Sequence, residues 1–286
     1  MSFKGYKTWY VVYGDLNNGK PPLVVLHGGP GYPHYHLQNL SELSKNGYAV
    51  VLYDQLGCGK SDQPDNSGMW TIELFIEELN SLRKELGLNT INLLGHSWGG
   101  TLAVEYMFTE PEGVNKLVLS SPLLDTSLWV EEADKLKDQL PEEIAATMRK
   151  HESEGTTDSE DYKNAYAVFR DHFLCRVKPY PELMQLADKG VGDQVYNTMW
   201  GPSEAFATGT LKGWSALNRL DQLKLPTLLL SGKYDEATPK QMKLAHDGIN
   251  GSEWIMFENS SHTANIEEPE KYLATVNSFL GSTNAR

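Results

Sequence analysis

Six residues constrain this chain more than any others: Gly95-His96-Ser97-Trp98-Gly99-Gly100. They follow the apolar run Ile91-Asn92-Leu93-Leu94 and precede a segment of helical character, Thr101 to Phe108, closed by Pro111. The pattern is G-x-S-x-G at a strand-to-helix junction, the setting in which a serine is lifted out of a sharp turn. Small residues at 95 and 99 let the backbone pass tightly beneath Ser97. The helix behind the turn points its positive N-terminal end at the hydroxyl. The turn therefore predicts a buried strand on one side and a packed helix on the other.

The surrounding sequence repeats that rhythm. Tyr6 to Gly14 reads as a strand or hairpin. Leu23-Val24-Val25-Leu26, Ala49-Val50-Val51-Leu52-Tyr53 and Lys116-Leu117-Val118-Leu119-Ser120 are short apolar runs of the kind found in strands buried on both faces. Between them, Thr71 to Leu86 carries Ile72, Phe75, Ile76, Leu79, Leu82 and Leu86 at helical spacing, with Gly87 where a helix should stop. Buried strands alternating with helices predict a parallel sheet covered on both faces.

After Pro122 the strand signal vanishes. Leu128 to Leu140, Glu142 to His151, Tyr162 to Cys175 and Pro181 to Lys189 read as helices, and the polar stretch Ser153 to Glu160 as a mobile loop. Strands resume at Pro226 to Leu230 and Trp254 to Phe257, and an amphipathic helix runs from about Pro269 to Leu280. The expected organisation is a core built from residues 1–122 and 218–286, with a helical block, 123–217, inserted into it.

Composition narrows the function. Of 286 residues, 40% are hydrophobic and 22% charged, enough apolar content for a folded core. The net charge of −13 disfavours nucleic acid and anionic membrane as partners, since both are bound through Lys and Arg, and favours a cationic small substrate over an anionic one. Cys58 and Cys175 are the two cysteines, with no Cys-x-x-Cys pair and no Cys/His cluster at zinc spacing. Few cysteines and an N-terminus without an apolar signal segment lead us to expect a cytoplasmic protein. No sequence feature implies a metal or an organic cofactor.

A serine nucleophile needs a base, and the base needs an orienting acid. At a turn of this kind they follow in the order acid, then histidine. Asp235 comes after the strand Leu228–Leu230, and His262 comes after Trp254–Phe257, both at strand carboxyl ends where such sheets hold their sites. The developing oxyanion needs donors. One is expected from the N–H of Trp98, the other from the loop His27-Gly28-Gly29-Pro30-Gly31. His34 and His36 could line the pocket, and the His96 side chain is expected to point away from it. His151, His172 and His246 read as surface or packing residues.

With these residues in hand, the chain resembles the proline iminopeptidases (prolyl aminopeptidases) of the α/β-hydrolase fold. The likeness rests on His27-Gly28-Gly29-Pro30-Gly31, Asp54-Gln55-Leu56-Gly57-Cys58-Gly59-Lys60-Ser61, the Ser97 turn, Trp200-Gly201-Pro202-Ser203-Glu204, Asp235-Glu236 and Ser261-His262. It implies an α/β fold with a mostly parallel central sheet, flanking helices and an inserted helical cap. It also implies Gly29 as the second oxyanion donor. The family reads the free amine of its substrate with carboxylates, and the matching positions are Glu204 and Glu236. His96 departs from the small or amide residue more usual there, a spelling closer to esterases.

The expected reaction is release of an N-terminal residue, preferably proline, from a short peptide or amino-acid amide. Ser97, Asp235 and His262 would form the triad. A carboxylesterase or amino-acid amidase on the same triad is the alternative, and a ligand-binding receptor with little turnover a second. A dehalogenase would need Asp at position 97. Tyr32, Trp98, Phe169, Tyr196 and Trp200 are candidates for the specificity pocket, with core packing as the competing role of each. The family includes monomers and larger assemblies; the monomer is the working expectation.

Overall fold

Apolar runs too short for helices become the strands. In the computed structural model, which describes residues 1–282, β1 (Ser2–Phe3) and β2 (Tyr6–Lys7) form a small hairpin. Then come β3 (Tyr10–Tyr13), β4 (Leu23–Leu26), β5 (Val50–Tyr53), β6 (Ile91–His96), β7 (Val114–Ser120), β8 (Thr227–Gly232) and β9 (Glu253–Phe257). These seven form one sheet in the order β3-β5-β4-β6-β7-β8-β9. β3 pairs antiparallel to β5, and every other pairing is parallel.

The period of two along each strand splits the core into two halves. Val24, Leu26, Val51, Leu93, Leu117 and Leu229 face α1 (Ile72–Glu85) and α2 (Trp98–Phe108). Leu23, Val25, Val50, Leu94, Val118 and Leu228 face the other way. There they meet a 3₁₀ segment, His34–Asn46, and the C-terminal helix. Both faces are covered, which is why the strand sequences are apolar throughout rather than alternating.

Local signals set the helix ends. The Thr71 side chain accepts from the Leu74 N–H at 3.2 Å, Glu73 lies in the first turn, and Arg83 and Lys84 lie in the last. Gly87 follows with φ +65°, a left-handed stop.

Five helices lie between β7 and β8: α3 (Thr126–Lys137), α4 (Glu142–Glu154), α5 (Glu160–Phe173), α6 (Glu182–Lys189) and α7 (Asp193–Met199). No strand of the main sheet lies among them. Ala133, Met148, Tyr162, Phe169 and Phe173 form their own apolar cluster. The polar stretch expected as a loop from Ser153 to Glu160 is shorter: α4 runs to Glu154, and α5 starts at Glu160 with Ser159 as its cap. After β8 come α8 (Pro239–Gly248), α9 (Ala264–Glu267) and α10 (Pro269–Gly281). α7 falls within the block expected to be helical, though seven residues give too few turns for bounds of its own, and α8 was not anticipated because it is mostly polar. Buried Lys116 closes α10 by donating to the Phe279 and Leu280 carbonyls at 2.7 and 3.1 Å. Among the described residues no helix is long and apolar enough to cross a membrane.

Candidate active site

β6 and α2 meet at Ser97, whose φ of 55° and ψ of −121° are unusual for a residue with a side chain. The flanking glycines make the turn possible. A Cβ on Gly95 would come within 2.1 Å of the Gly99 carbonyl oxygen, and one on Gly99 within 2.1 Å of the Leu26 oxygen. The Ser97 N–H donates to Ser120 O at 3.0 Å, tying the turn to β7. α2 begins at Trp98, so that residue's N–H has no acceptor within the helix and stays free for a ligand. The Trp98 indole is fully buried and donates to Gln55 Oε1 at 2.9 Å.

Asp235 and His262 are brought together from the ends of β8 and β9. His262 Nδ1 lies 2.8 Å from Asp235 Oδ1. The buried carboxylate also accepts from Ala237 N–H at 2.8 Å, Gly232 N–H at 3.2 Å and the Ser121 hydroxyl at 2.6 Å. An acid so held accepts a hydrogen bond from the Nδ1–H of the imidazole and fixes the tautomer in which Nε2 is the basic nitrogen. The His262 backbone is fixed from the helical block, through N–H donation to Phe173 O at 3.1 Å.

The loop after β4 runs against the serine. A Cβ on Gly28 would lie 3.2 Å from Ser97 Cβ, and Gly29 has φ +114°, where a Cβ would meet Gly31 N at 2.4 Å. The Asp54-to-Ser61 motif braces this loop. The Gln55 N–H donates to His27 Nε2 at 2.8 Å, and Gln55 Nε2 donates to His27 O at 3.1 Å. Gln55 thus joins the glycine loop to Trp98, a role the spacing alone did not reveal. His27, Asp54 and Cys58 are the one group of three metal-type ligands at suitable separation among the described residues. Their donor atoms are already committed: His27 Nδ1 to Gly28 O at 2.9 Å, Asp54 Oδ1 to His34 at 2.7 Å, and Asp54 Oδ2 to the Lys60 N–H at 2.9 Å.

The two glutamates differ. Glu204 is half-buried, and its Oε1 accepts from the Tyr196 hydroxyl at 2.7 Å. Glu236 is fully buried, and neither carboxylate oxygen has a hydrogen-bond partner. Its Oε1 lies 3.7 Å from His262 Nε2. Burial pushes both carboxyl groups up, and the charges of Glu204 and Asp235 push Glu236 further.

A cavity of about 300 Å³ opens at this point, with Gly28, Gly29, Ser97 and His262 on the sheet side. Tyr166, Tyr196 and Glu204 face them from the helical block. Glu236 is not among the lining residues; its carboxylate sits within 3.7 Å of His262 Nε2, which is on the wall. Of the aromatic candidates, Tyr32 and Tyr196 line the cavity; Trp98, Phe169 and Trp200 are core. His36 lines it, whereas His34 is bonded to Asp54. His96 also lines it, contrary to expectation, because its ring packs edge-on against His262 with centroids 4.7 Å apart. Burial, then the neighbouring His262, lowers His96 to about 3, so it is neutral. Tyr166, Arg170 and Leu174 were missed as cavity residues; their i, i+4, i+8 spacing along α5 and its cap was the available signal.

Residues 21–269 match the model of a family described as alpha/beta hydrolase fold. A proline iminopeptidase of Heyndrickxia coagulans is 42% identical, with 94% of this chain and 93% of that protein covered. The crystal structure of a proline iminopeptidase from Mycobacterium smegmatis superposes with a TM-score of 0.89 at 36% identity, covering 98% of this chain and 96% of that one. The crystal structure of VinJ gives 0.94 at 38% identity, with the same coverage. Fold, near-complete coverage and identity agree, and the chain belongs to the proline iminopeptidase family of the α/β-hydrolase fold.

Proposed function

We propose that this chain is a serine aminopeptidase that releases an N-terminal residue, preferably proline, from short peptides or amino-acid amides. The hydrolase class and the prolyl preference follow from the relatives. The observation that carries amine recognition is the Glu236 carboxylate, buried without a partner 3.7 Å from His262 Nε2. Burying an unpaired carboxylate is costly, and a substrate ammonium offsets that cost. Proline's charged amine has two N–H donors, a match for the Glu204 and Glu236 pair. An N-blocked peptide has neither the charge nor both donors.

In this reading Ser97 Oγ attacks the prolyl carbonyl as His262 Nε2 takes its proton. Asp235 holds the imidazole and offsets its positive charge. The N–H groups of Gly29 and Trp98 receive the oxyanion; one such donor is worth roughly 3–4 kcal/mol of barrier. His262 then protonates the departing amine, and water attacks the acyl-enzyme by the same route. Residues 123–217 act as a cap that limits substrate length, over a core of 1–122 and 218–286. Two free, buried cysteines and the acidic surface favour action on peptides in a reducing, cytoplasmic setting.

The test compares kcat/KM on prolyl-p-nitroanilide, its N-acetyl form and p-nitrophenyl acetate. Cleavage of the free anilide without the acetylated one supports amine recognition. Efficient cleavage of the simple ester alone would make the protein an esterase.

A further inference from the structure

Arg170 is the one Lys or Arg among the residues lining the cavity. It shares a face of α5 with Tyr166, with the cap residue Leu174 one turn further on, and its charge opposes the upward push that burial gives Glu204 and Glu236. Arg170 and Glu204 line the same cavity. The protein grips Arg170 from one side. Its Nη2 donates to the two Asp188 oxygens at 2.9 and 3.1 Å and to the Tyr180 hydroxyl, and the Tyr32 hydroxyl donates to Asp188 at 2.7 Å. None of these bonds uses Nε or Nη1. The Arg170 side chain keeps 27% of its surface open. An ion pair that only joined α5 to α6 would be cheaper on the outer surface, where neither charge loses water. Arg170 instead lines the cavity with Nε and Nη1 outside these bonds, and a planar donor edge of that kind suits a carboxylate.

We propose that Arg170 is a specificity-determining residue that reads the free α-carboxylate of the leaving residue, so that the preferred substrates are zwitterionic prolyl dipeptides. This rests on the aminopeptidase reading above, with the ammonium held at Glu204 and Glu236. A dipeptide spans about 7 Å when extended, and the cavity of about 300 Å³ has Ser97, Glu204 and Arg170 on its lining. Without such a reader, an acidic site would favour the dipeptide amide, which carries net positive charge, over the zwitterion.

The experiment measures kcat/KM on Pro-Gly and Pro-Gly-NH2 for the wild type, Arg170→Gln and Arg170→Lys. The wild type should favour Pro-Gly by roughly 10- to 100-fold, the range for hydrogen bonds to a charged group. Arg170→Gln should bring the ratio to near one or invert it, and Arg170→Lys should fall between. A wild-type preference for the amide overturns the proposal, and this comparison needs no variant to fold. A ratio that survives in Arg170→Gln, with both substrates slowed alike, also overturns it and leaves Arg170 a structural tie. If neither dipeptide is cleaved while p-nitrophenyl acetate is, the aminopeptidase reading itself has failed.

Discussion

Glu236 Oε1 lies 3.7 Å from His262 Nε2, the nitrogen that would carry the proton during attack. On one flank His262 has Asp235, fully hydrogen-bonded; on the other it has a carboxylate with no partner. The first arrangement suits a fixed structural charge. The second suits a group whose partner arrives with the substrate, which in the proposed function is the amine.

Asp235→Asn should keep the fold and lose most turnover. The amide can present its N–H₂ to the imidazole and stabilise the wrong tautomer. A fall in kcat of about 10⁴-fold is expected, by analogy with the effect in serine proteases. Steady-state kinetics with prolyl-p-nitroanilide check this, together with an unchanged near-UV circular dichroism spectrum.

Gly99→Ala should cost stability as well as activity. Its Cβ would sit 2.1 Å from the Leu26 carbonyl oxygen, a backbone atom that cannot swing aside. A loss on the order of 3 kcal/mol follows from forced overpacking. Urea unfolding of the variant should show a lower midpoint; an unchanged midpoint would mean that the turn is looser than described.

Glu78 gives a pH signature away from the site. It is fully buried beneath the Asp54-to-Ser61 segment, accepting from the Leu56 N–H at 3.0 and 3.1 Å. Burial raises its pKa from 4.5 to about 7. The folded state therefore holds this proton more tightly than the unfolded chain. The resulting stability is fully present below about pH 4.5 and is lost as pH rises through about 7. The span corresponds to about 3 kcal/mol. Comparing unfolding free energies of the wild type and Glu78→Gln across pH 4 to 8 isolates it; parallel curves would contradict the assignment.

Much of this was readable in advance, for definable reasons. β4, β5 and β7 are covered on both faces, so their apolar runs stand out in the sequence. The turn at Ser97 is legible because only glycine fits at 95 and 99. Asp235 and His262 follow from chain order and strand ends. Glu204 and Glu236 came from the family resemblance, since a lone glutamate in a loop carries no signal of burial. The inward stripe of Tyr166, Arg170 and Leu174 depends on how α5 docks, as does the approach of the His96 ring to His262. Spacing groups the three residues on one side but does not say which way that side turns, and nothing in the turn itself places the His96 ring.

The central claim is that buried carboxylates read the substrate amine. Its most direct test is kcat/KM of the wild type, Glu204→Gln and Glu236→Gln on prolyl-p-nitroanilide and on p-nitrophenyl acetate. The account predicts a loss of at least 10-fold on the prolyl substrate in each variant, in line with a lost charge-assisted hydrogen bond, and a much smaller change on the ester. Equal losses on both substrates, or none on either, would contradict it.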